Sequence, residues 1–138
     1  MNLLVNIDVP DLEAATQFYV DAFGFTVGRR MGPIFRELLG APVPVYLLVK
    51  KPGTAPFPGA TPREFTRHWT PVHLDIAVAD LEAALERAVA AGARAESGIT
   101  KHAWGRMVLL ADPFGNGICL LDLTPGYDAL VEKEAGQS

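Results

Sequence analysis

The sequence contains a single cysteine, Cys119, among 138 residues. One thiol cannot form a disulfide within the chain, and it excludes the zinc and iron–sulfur sites that need several cysteines. Because small secreted domains commonly carry disulfides, the shortage of cysteine also indicates a reducing compartment. We therefore expect a cytoplasmic protein that is held together by its hydrophobic core.

Positive charge is also scarce. Lysine and arginine together number 12, against 16 aspartate and glutamate residues, which gives a net charge of -4. The basic surface that a nucleic-acid backbone requires is therefore missing, and we expect no nucleic-acid partner. The N-terminal segment lacks the basic region of a secretory signal.

Long apolar runs and the common catalytic motifs are missing as well. The longest apolar-rich stretch, 38–49, contains prolines and is too short to cross a bilayer, so we expect no membrane segment. Phosphate-binding loops, G-x-S-x-G elbows, H-E-x-x-H metal motifs and dinucleotide fingerprints do not occur. Phosphate-loop and serine-hydrolase functions are thereby excluded.

An internal repeat is the main feature that is present. The segment DLEAA occurs at 11–15 and again at 80–84, each time after an alternating apolar pattern that is typical of a strand. A second pair of segments, 45–53 and 118–126, can be aligned without a gap. A single domain made of two similar units agrees with the chain length.

The sequence pattern of each unit predicts a strand, a helix and three further strands. Asp11 and Asp80 stand where a helix N-cap is expected, and Gly24 and Gly92 stand where each helix ends. The proline- and glycine-rich segment 54–70 predicts a connection between the units, and the tail 127–138 predicts a short helix over 128–134. The three further strands are expected at about 25–30, 33–39 and 44–50 in the first unit, and at about 94–98, 106–111 and 117–123 in the second.

In order and spacing, three segments resemble the vicinal oxygen chelate superfamily of glyoxalase I, bleomycin-resistance proteins, fosfomycin-modifying enzymes and extradiol dioxygenases. They are DLEAATQFYVDAFGF, HLDIAVADLEAALERAVAAGA and WGRMVLLADPFGNGICLLDL. The resemblance covers 1–126 and implies an α+β fold, with two tandem βαβββ units forming a curved, U-shaped mixed sheet and helices on its outer face. The units are expected at 1–53 and 71–126. Because this fold hosts several chemistries, function has to be argued from the site.

The resemblance also implies four positions for metal ligands, on the first and last strands of the two units. In this sequence the four positions hold Leu4, Tyr46, His73 and Cys119. A catalytic divalent metal usually needs about three protein ligands, and only His73 and Cys119 are natural ones, so no metal cofactor is expected. The alternative is one divalent metal ion held by a shifted set, His73, Asp75 and Cys119.

The candidate catalytic residues are His73, Tyr46 and Cys119, and each has a plainer interpretation. His73 either lines a cleft or binds a ligand, a metal or a proton. Tyr46 is either a packing aromatic or a general acid. Cys119 is either a buried apolar residue or a thiol nucleophile that His73 activates.

The aromatic and basic residues predict what the cleft binds. Aromatic walls favour flat or apolar ligands, while arginine and histidine orient a polar group. We predict a metal-free protein of the glyoxalase/bleomycin-resistance type that sequesters a small aromatic or amphipathic molecule and forms a homodimer. The alternatives are a metal-dependent lyase, isomerase or dioxygenase of the same superfamily that uses His73, or a module that only binds a partner. The candidate ligand-binding residues are Tyr46, Trp69, His73, Trp104, Arg106 and Cys119.

Overall fold

A computed structural model describes residues 1–124 and 126–130. The chain forms two units, each of which begins with a strand followed by a helix and then by further strands. The first unit contains β1 (Val5–Val9), α1 (Leu12–Phe23), β2 (Thr26–Met31), β3 (Phe35–Leu39) and β4 (Val45–Val49). The second contains β5 (Leu74–Ala77), α2 (Leu81–Ala90), β6 (Arg94–Ala95), β7 (Thr100–His102), β8 (Gly105–Ala111) and β9 (Gly117–Asp122).

The two helices begin at the repeated aspartates, as the sequence predicts. Asp11 accepts a hydrogen bond from the backbone N–H of Ala14 at 3.0 Å, and Asp80 accepts one from Ala83 at 3.0 Å. Each bond satisfies a backbone donor that a helix N-terminus leaves without an internal partner. At the other end of α1, Gly24 adopts the left-handed conformation, with φ of 76°, that closes a helix.

The strands form two mixed sheets, which confirms the predicted α+β fold. The first sheet has the order β1-β4-β3-β2, and the second has the order β5-β9-β8-β6 with β7 paired to β8. In each unit the first strand runs parallel to the last one and lies at the edge of its sheet. The two edge strands β1 and β5 therefore occupy equivalent places in the repeat.

The second unit differs from the prediction at its first hairpin. The strand expected at 94–98 is limited to Arg94–Ala95, and the short strand β7 follows it. The ladder is interrupted because the hydroxyl of Ser97, and not a backbone carbonyl, accepts the N–H of Leu109 at 3.0 Å.

One hydrophobic core extends through both units. Each helix contacts its own sheet, and the two helices also contact each other. Phe18 of α1 packs edge-on against Phe114 of the second unit, with ring centroids 6.3 Å apart. Full burial of a leucine such as Leu47 or Leu120 contributes roughly 1.5–3 kcal/mol, so this core suffices without a disulfide.

The connection between the units is attached to both of them. Arg63 exchanges two backbone hydrogen bonds of 2.8 Å with Gly53 and Thr54, and the N–H of His68 donates to the carbonyl of Gly115 at 3.0 Å. In the tail, a single turn of 3-10 helix covers Tyr127–Ala129. The rest of the helix predicted at 128–134 lies outside the described residues.

Within residues 1–124 and 126–130, no helix combines the length and the hydropathy needed to cross a lipid bilayer.

Candidate functional site

A cleft of about 790 Å³ lies where the edge strands β1 and β5 meet the connecting segment. Its volume is within the roughly 300–1,000 Å³ that is usual for sites that bind small molecules. Four parts of the chain line it: β1, α1, the segment that leads into β5, and the turn before β9 together with the start of β9. The lining residues include Asn6, Asp8, Tyr19, Arg63, Glu64, Phe65, His68, Trp69, His73 and Gly117.

Trp69 is the large aromatic residue at this cleft, and three neighbours fix its ring. The ring lies on the backbone of Gly117, where an added Cβ would be 2.7 Å from three indole atoms. The guanidinium of Arg67 lies 4.8 Å from the ring centroid, and the ring of His73 meets it edge-on at 5.5 Å. With 45% of its surface exposed, Trp69 retains area for a ligand.

The arginines around the cleft are bound to carboxylates. Arg63 Nε lies 2.6 Å from Asp8 Oδ2, which joins the connecting segment to β1. Arg67 donates to both carboxylate oxygens of Glu96 and to the backbone carbonyl of His68. These two arginines therefore fix the segment that contains Trp69 to β1 and to the second unit.

The two histidines of the cleft each have one ring nitrogen engaged. His68 Nδ1 is 2.6 Å from the carbonyl oxygen of Thr66, and His73 Nε2 is 3.1 Å from Asp75 Oδ1. Because a carbonyl or carboxylate oxygen accepts, the engaged nitrogen carries the hydrogen in both rings. In a neutral ring the other nitrogen is then a hydrogen-bond acceptor.

Tyr19 of α1 also lines the cleft and is almost fully buried. Its hydroxyl donates to the carboxylate of Asp112 at 2.6 Å. Burial, together with the nearby Asp112 charge, raises the pKa of Tyr19 well above its ordinary value. Tyr19 is therefore a neutral hydrogen-bond donor rather than an acid–base group.

Tyr46 is not among the residues that line this cleft, although it is paired in register with Asn6; it belongs to a cluster on the first sheet. Its hydroxyl donates to Glu37 at 3.0 Å, and the ring of Phe35 packs against it at 4.9 Å. Arg29 binds the same buried carboxylate through its backbone N–H at 3.0 Å and its guanidinium at 2.7 Å. The hydrogen bond to Glu37 and partial burial raise the pKa of Tyr46, so its hydroxyl keeps its proton at neutral pH.

His73, Asp75 and Cys119 come together on the second sheet. Each offers one donor atom, and the three atoms lie within 4.8 Å of one another. Cys119 is buried and is paired in register with Asp75 on the adjacent strand. Burial, and then the hydrogen bond to Asp75, raise the pKa of the Cys119 thiol to about 11. Of the three, only His73 also lines the cleft.

Two further candidate ligand-binding residues, Arg106 and Trp104, make their contacts outside the cleft. Arg106 binds Glu82 at 2.6 Å and Asp122 at 2.9 Å, which ties the start of α2 to the sheet. Trp104 stacks flat on His102, with centroids 4.9 Å apart. Neither of them is among the residues that line the cleft.

The four metal positions of the superfamily do not fit a metal in this chain. Leu4 has no donor atom, and the Tyr46 hydroxyl is committed to Glu37. The shifted set of His73, Asp75 and Cys119 supplies a nitrogen, an oxygen and a sulfur, a mixture that zinc accepts. Binding there would require the Cys119 thiol to lose its proton and His73 Nε2 to lose the hydrogen that it donates to Asp75.

Comparison with known proteins agrees with this architecture. The family model described as "Glyoxalase-like domain" matches residues 4–121. The chain belongs to the glyoxalase-like family. No curated protein matches the sequence of this glyoxalase-like chain.

Several solved structures have a similar fold. TioX from Micromonospora sp. ML1 has a TM-score of 0.68 at 20% identity, covering 89% of this chain and 98% of that one. A glyoxalase/bleomycin resistance protein/dioxygenase from Nocardioides has a TM-score of 0.65 at 21% identity, covering 100% and 89%. The fosfomycin resistance protein FosX from Listeria monocytogenes, with manganese(II) and a dihydroxypropylphosphonic acid, has a TM-score of 0.69 at 16% identity, covering 91% and 90%. At these identities the likeness shows the fold.

Proposed function

We propose that this glyoxalase-like protein binds and sequesters a small aromatic or amphipathic molecule in the cleft between β1 and β5, without a resident metal. The observation that carries the proposal is the fixed, half-exposed ring of Trp69 at a cleft of about 790 Å³. A ring that is already held in place loses little conformational freedom when a ligand stacks on it.

The polar groups of the cleft are suited to binding rather than to turnover. Tyr19 keeps its proton because of burial, and Arg63 is paired with Asp8. The candidate nucleophile, Cys119, has a raised pKa of about 11 and is therefore a thiol at neutral pH. The remaining acceptors, such as His68 and Asn6, can orient a ligand through hydrogen bonds.

A calorimetric titration with naphthalenemethanol, a neutral aromatic probe, tests the proposal. The titration is carried out in excess EDTA on the unchanged protein and on two matched variants, Trp69→Ala and Trp104→Ala. We expect saturable binding that Trp69→Ala weakens about tenfold, the scale of a lost aromatic stack, and that Trp104→Ala leaves unchanged. Equal losses in both variants, or no binding by the unchanged protein, would overturn the proposal.

A second candidate function is a metal-dependent lyase, isomerase or dioxygenase, and the convergence of His73, Asp75 and Cys119 favours it. Elemental analysis after dialysis against zinc and then manganese distinguishes the two functions. One metal ion per chain that both His73→Ala and Cys119→Ala remove, and that His102→Ala retains, would overturn the metal-free proposal and favour the second function. Absence of bound metal in the unchanged protein would overturn the metal-dependent function and agree with metal-free ligand binding.

We also propose that the protein forms a homodimer. Within the described part of the chain, the edge strands β1 and β5 each pair on one side only, and exposed Leu3, Leu4 and Val72 lie next to them. Such edges are commonly covered by a second copy. Light scattering at micromolar concentration should give twice the chain mass, and a monomer there would refute this part of the proposal.

A further inference from the structure

The cleft contains little positive charge that is available to a ligand. Arg63 is held by Asp8 at 2.6 Å, and its Nη1 is directed to the Thr54 hydroxyl at 3.4 Å. Every guanidinium nitrogen of Arg67 is engaged, two with Glu96 and the third with backbone carbonyls. Both arginines are therefore already paired with a carboxylate, which offsets their attraction for an anionic ligand.

Negative charge is available, in contrast. Glu64 is exposed and lines the cleft beside Phe65. None of the ion pairs within residues 1–124 and 126–130 involves its carboxylate. Next to the cleft, Asp75 adds a second carboxylate, which is paired only with His73 among the salt bridges of the described residues.

We infer that the cleft selects cationic and neutral aromatic ligands over anionic ones, with Glu64 as the residue that sets this preference. The inference rests on the proposed function, because it concerns the same cleft. A cation that stacks on Trp69 would gain attraction from both the Glu64 carboxylate and the indole ring. An anion would be repelled by Glu64, while the charges of Arg63 and Arg67 are already balanced by Asp8 and Glu96.

Three probes with the same ring system and different charge test the inference by calorimetry. They are naphthylmethyl-trimethylammonium, naphthalenemethanol and naphthalenesulfonate. One unscreened charge at a partly exposed site changes affinity by about fivefold, so the cation should bind at least about fivefold more tightly than the sulfonate. This difference should shrink as salt is added.

Two charge-matched variants assign the effect to a residue. Glu64→Gln should weaken the binding of the cation about fivefold and leave the neutral probe unchanged. Glu86→Gln, on the exposed side of α2, removes the same charge from the protein and should change neither affinity. In a third variant, Asp8→Asn, the guanidinium of Arg63 loses its carboxylate, and binding of the sulfonate should become tighter.

The outcomes separate this inference from the function on which it rests. Tighter binding of the cation, lost specifically in Glu64→Gln, would support the charge preference. Equal or tighter binding of the sulfonate would overturn the inference while the cleft stays a binding site. If Glu64→Gln and Glu86→Gln had the same effect, Glu64 would not be the determinant. Failure of all three probes to bind would overturn both the proposed function and the inference.

Discussion

The hydroxyl of Tyr19, in the helix of the first unit, donates a 2.6 Å hydrogen bond to the carboxylate of Asp112, in a turn of the second unit. The same carboxylate accepts the backbone N–H groups of Phe114 and Asn116, at 2.8 and 2.9 Å. One buried group therefore joins the two units and shapes the turn before β9. Because that turn continues into Gly117, on which Trp69 lies, the bond also supports the cleft.

Removing this hydroxyl should destabilise the protein. In Tyr19→Phe the buried Asp112 carboxylate loses a donor, and we expect the free energy of unfolding to fall by about 2 kcal/mol. Chemical denaturation measures the loss. The matched variant Tyr127→Phe, at an exposed site, should stay within about 0.5 kcal/mol of the unchanged protein. Equal stability of the two variants would show that the bond between the units is unimportant.

Gly117→Ala should displace Trp69. An added Cβ at this position would lie 2.7 Å from three indole atoms, which is too close for any contact, so the ring must move. We expect weaker binding of naphthalenemethanol and a changed tryptophan emission spectrum. Gly98→Ala is the control, since a Cβ there has no neighbour within 4 Å. Unchanged binding in Gly117→Ala would show that ligand recognition does not depend on the position of the Trp69 ring.

The Cys119 thiol should react slowly with a disulfide reagent. Burial and the neighbouring Asp75 raise its pKa from 9.0 to about 11, which lowers the thiolate fraction at pH 8 by about a hundredfold. The reaction should accelerate as the pH rises toward 11 and become rapid once the protein is unfolded. Fast reaction of the folded protein at neutral pH would instead indicate an activated thiolate, and would revive the nucleophile hypothesis.

Asp122 should make stability sensitive to acid. Hydrogen bonds from Thr124, followed by the one from Arg106, hold the pKa of Asp122 below its ordinary value of 3.8. A carboxylate with a lowered pKa stabilises the folded state above its unfolded pKa, and this contribution is lost as the pH falls through the folded pKa. Asp122→Asn should therefore flatten the decline in unfolding free energy below pH 4. An unchanged pH profile in this variant would refute the assignment.

The fold follows from local sequence signals to a large extent. Asp11 and Asp80 each cap a helix through the backbone three residues ahead, so the repeated DLEAA segment is sufficient to locate both helix starts. The strands follow from alternation of apolar side chains. The shortened strand after Arg94 could not be predicted in this way, because it depends on the Ser97 hydroxyl meeting Leu109.

The cleft follows from the sequence only in part. Trp69 and His73, two of the candidate ligand-binding residues, contact each other, but the partner of Arg63 is Asp8, far away in the sequence. Tyr19 belongs to the apolar stripe of its helix, and its hydrogen bond to Asp112 depends on the packing of the two units, which the sequence does not reveal. Neither Glu64 nor Gly117 carries a sequence signal, because the importance of each depends on what the connecting segment packs against.

The position of Arg106 is better predicted by the alternation of its strand than by its being an arginine. Arg106 shares a strand face with the fully buried Val108 and Leu110, which is the face that packs against the helices. Its binding to Glu82 at the start of α2 follows from that position. The first unit has a similar ion pair, since Arg36 binds Glu13 at 2.7 Å. In each unit, an arginine of the sheet binds a glutamate in the first turn of the helix.

Nuclear magnetic resonance with an isotopically labelled protein locates the bound ligand on the chain. Naphthalenemethanol is added in excess EDTA while the backbone and indole N–H signals are followed. We expect saturable shifts that are largest at Asn6, Trp69 and Gly117, with the indole signal of Trp104 unchanged. Shifts centred on the Glu37–Tyr46 cluster, or shifts that appear only after zinc replaces EDTA, would contradict a metal-free binding cleft.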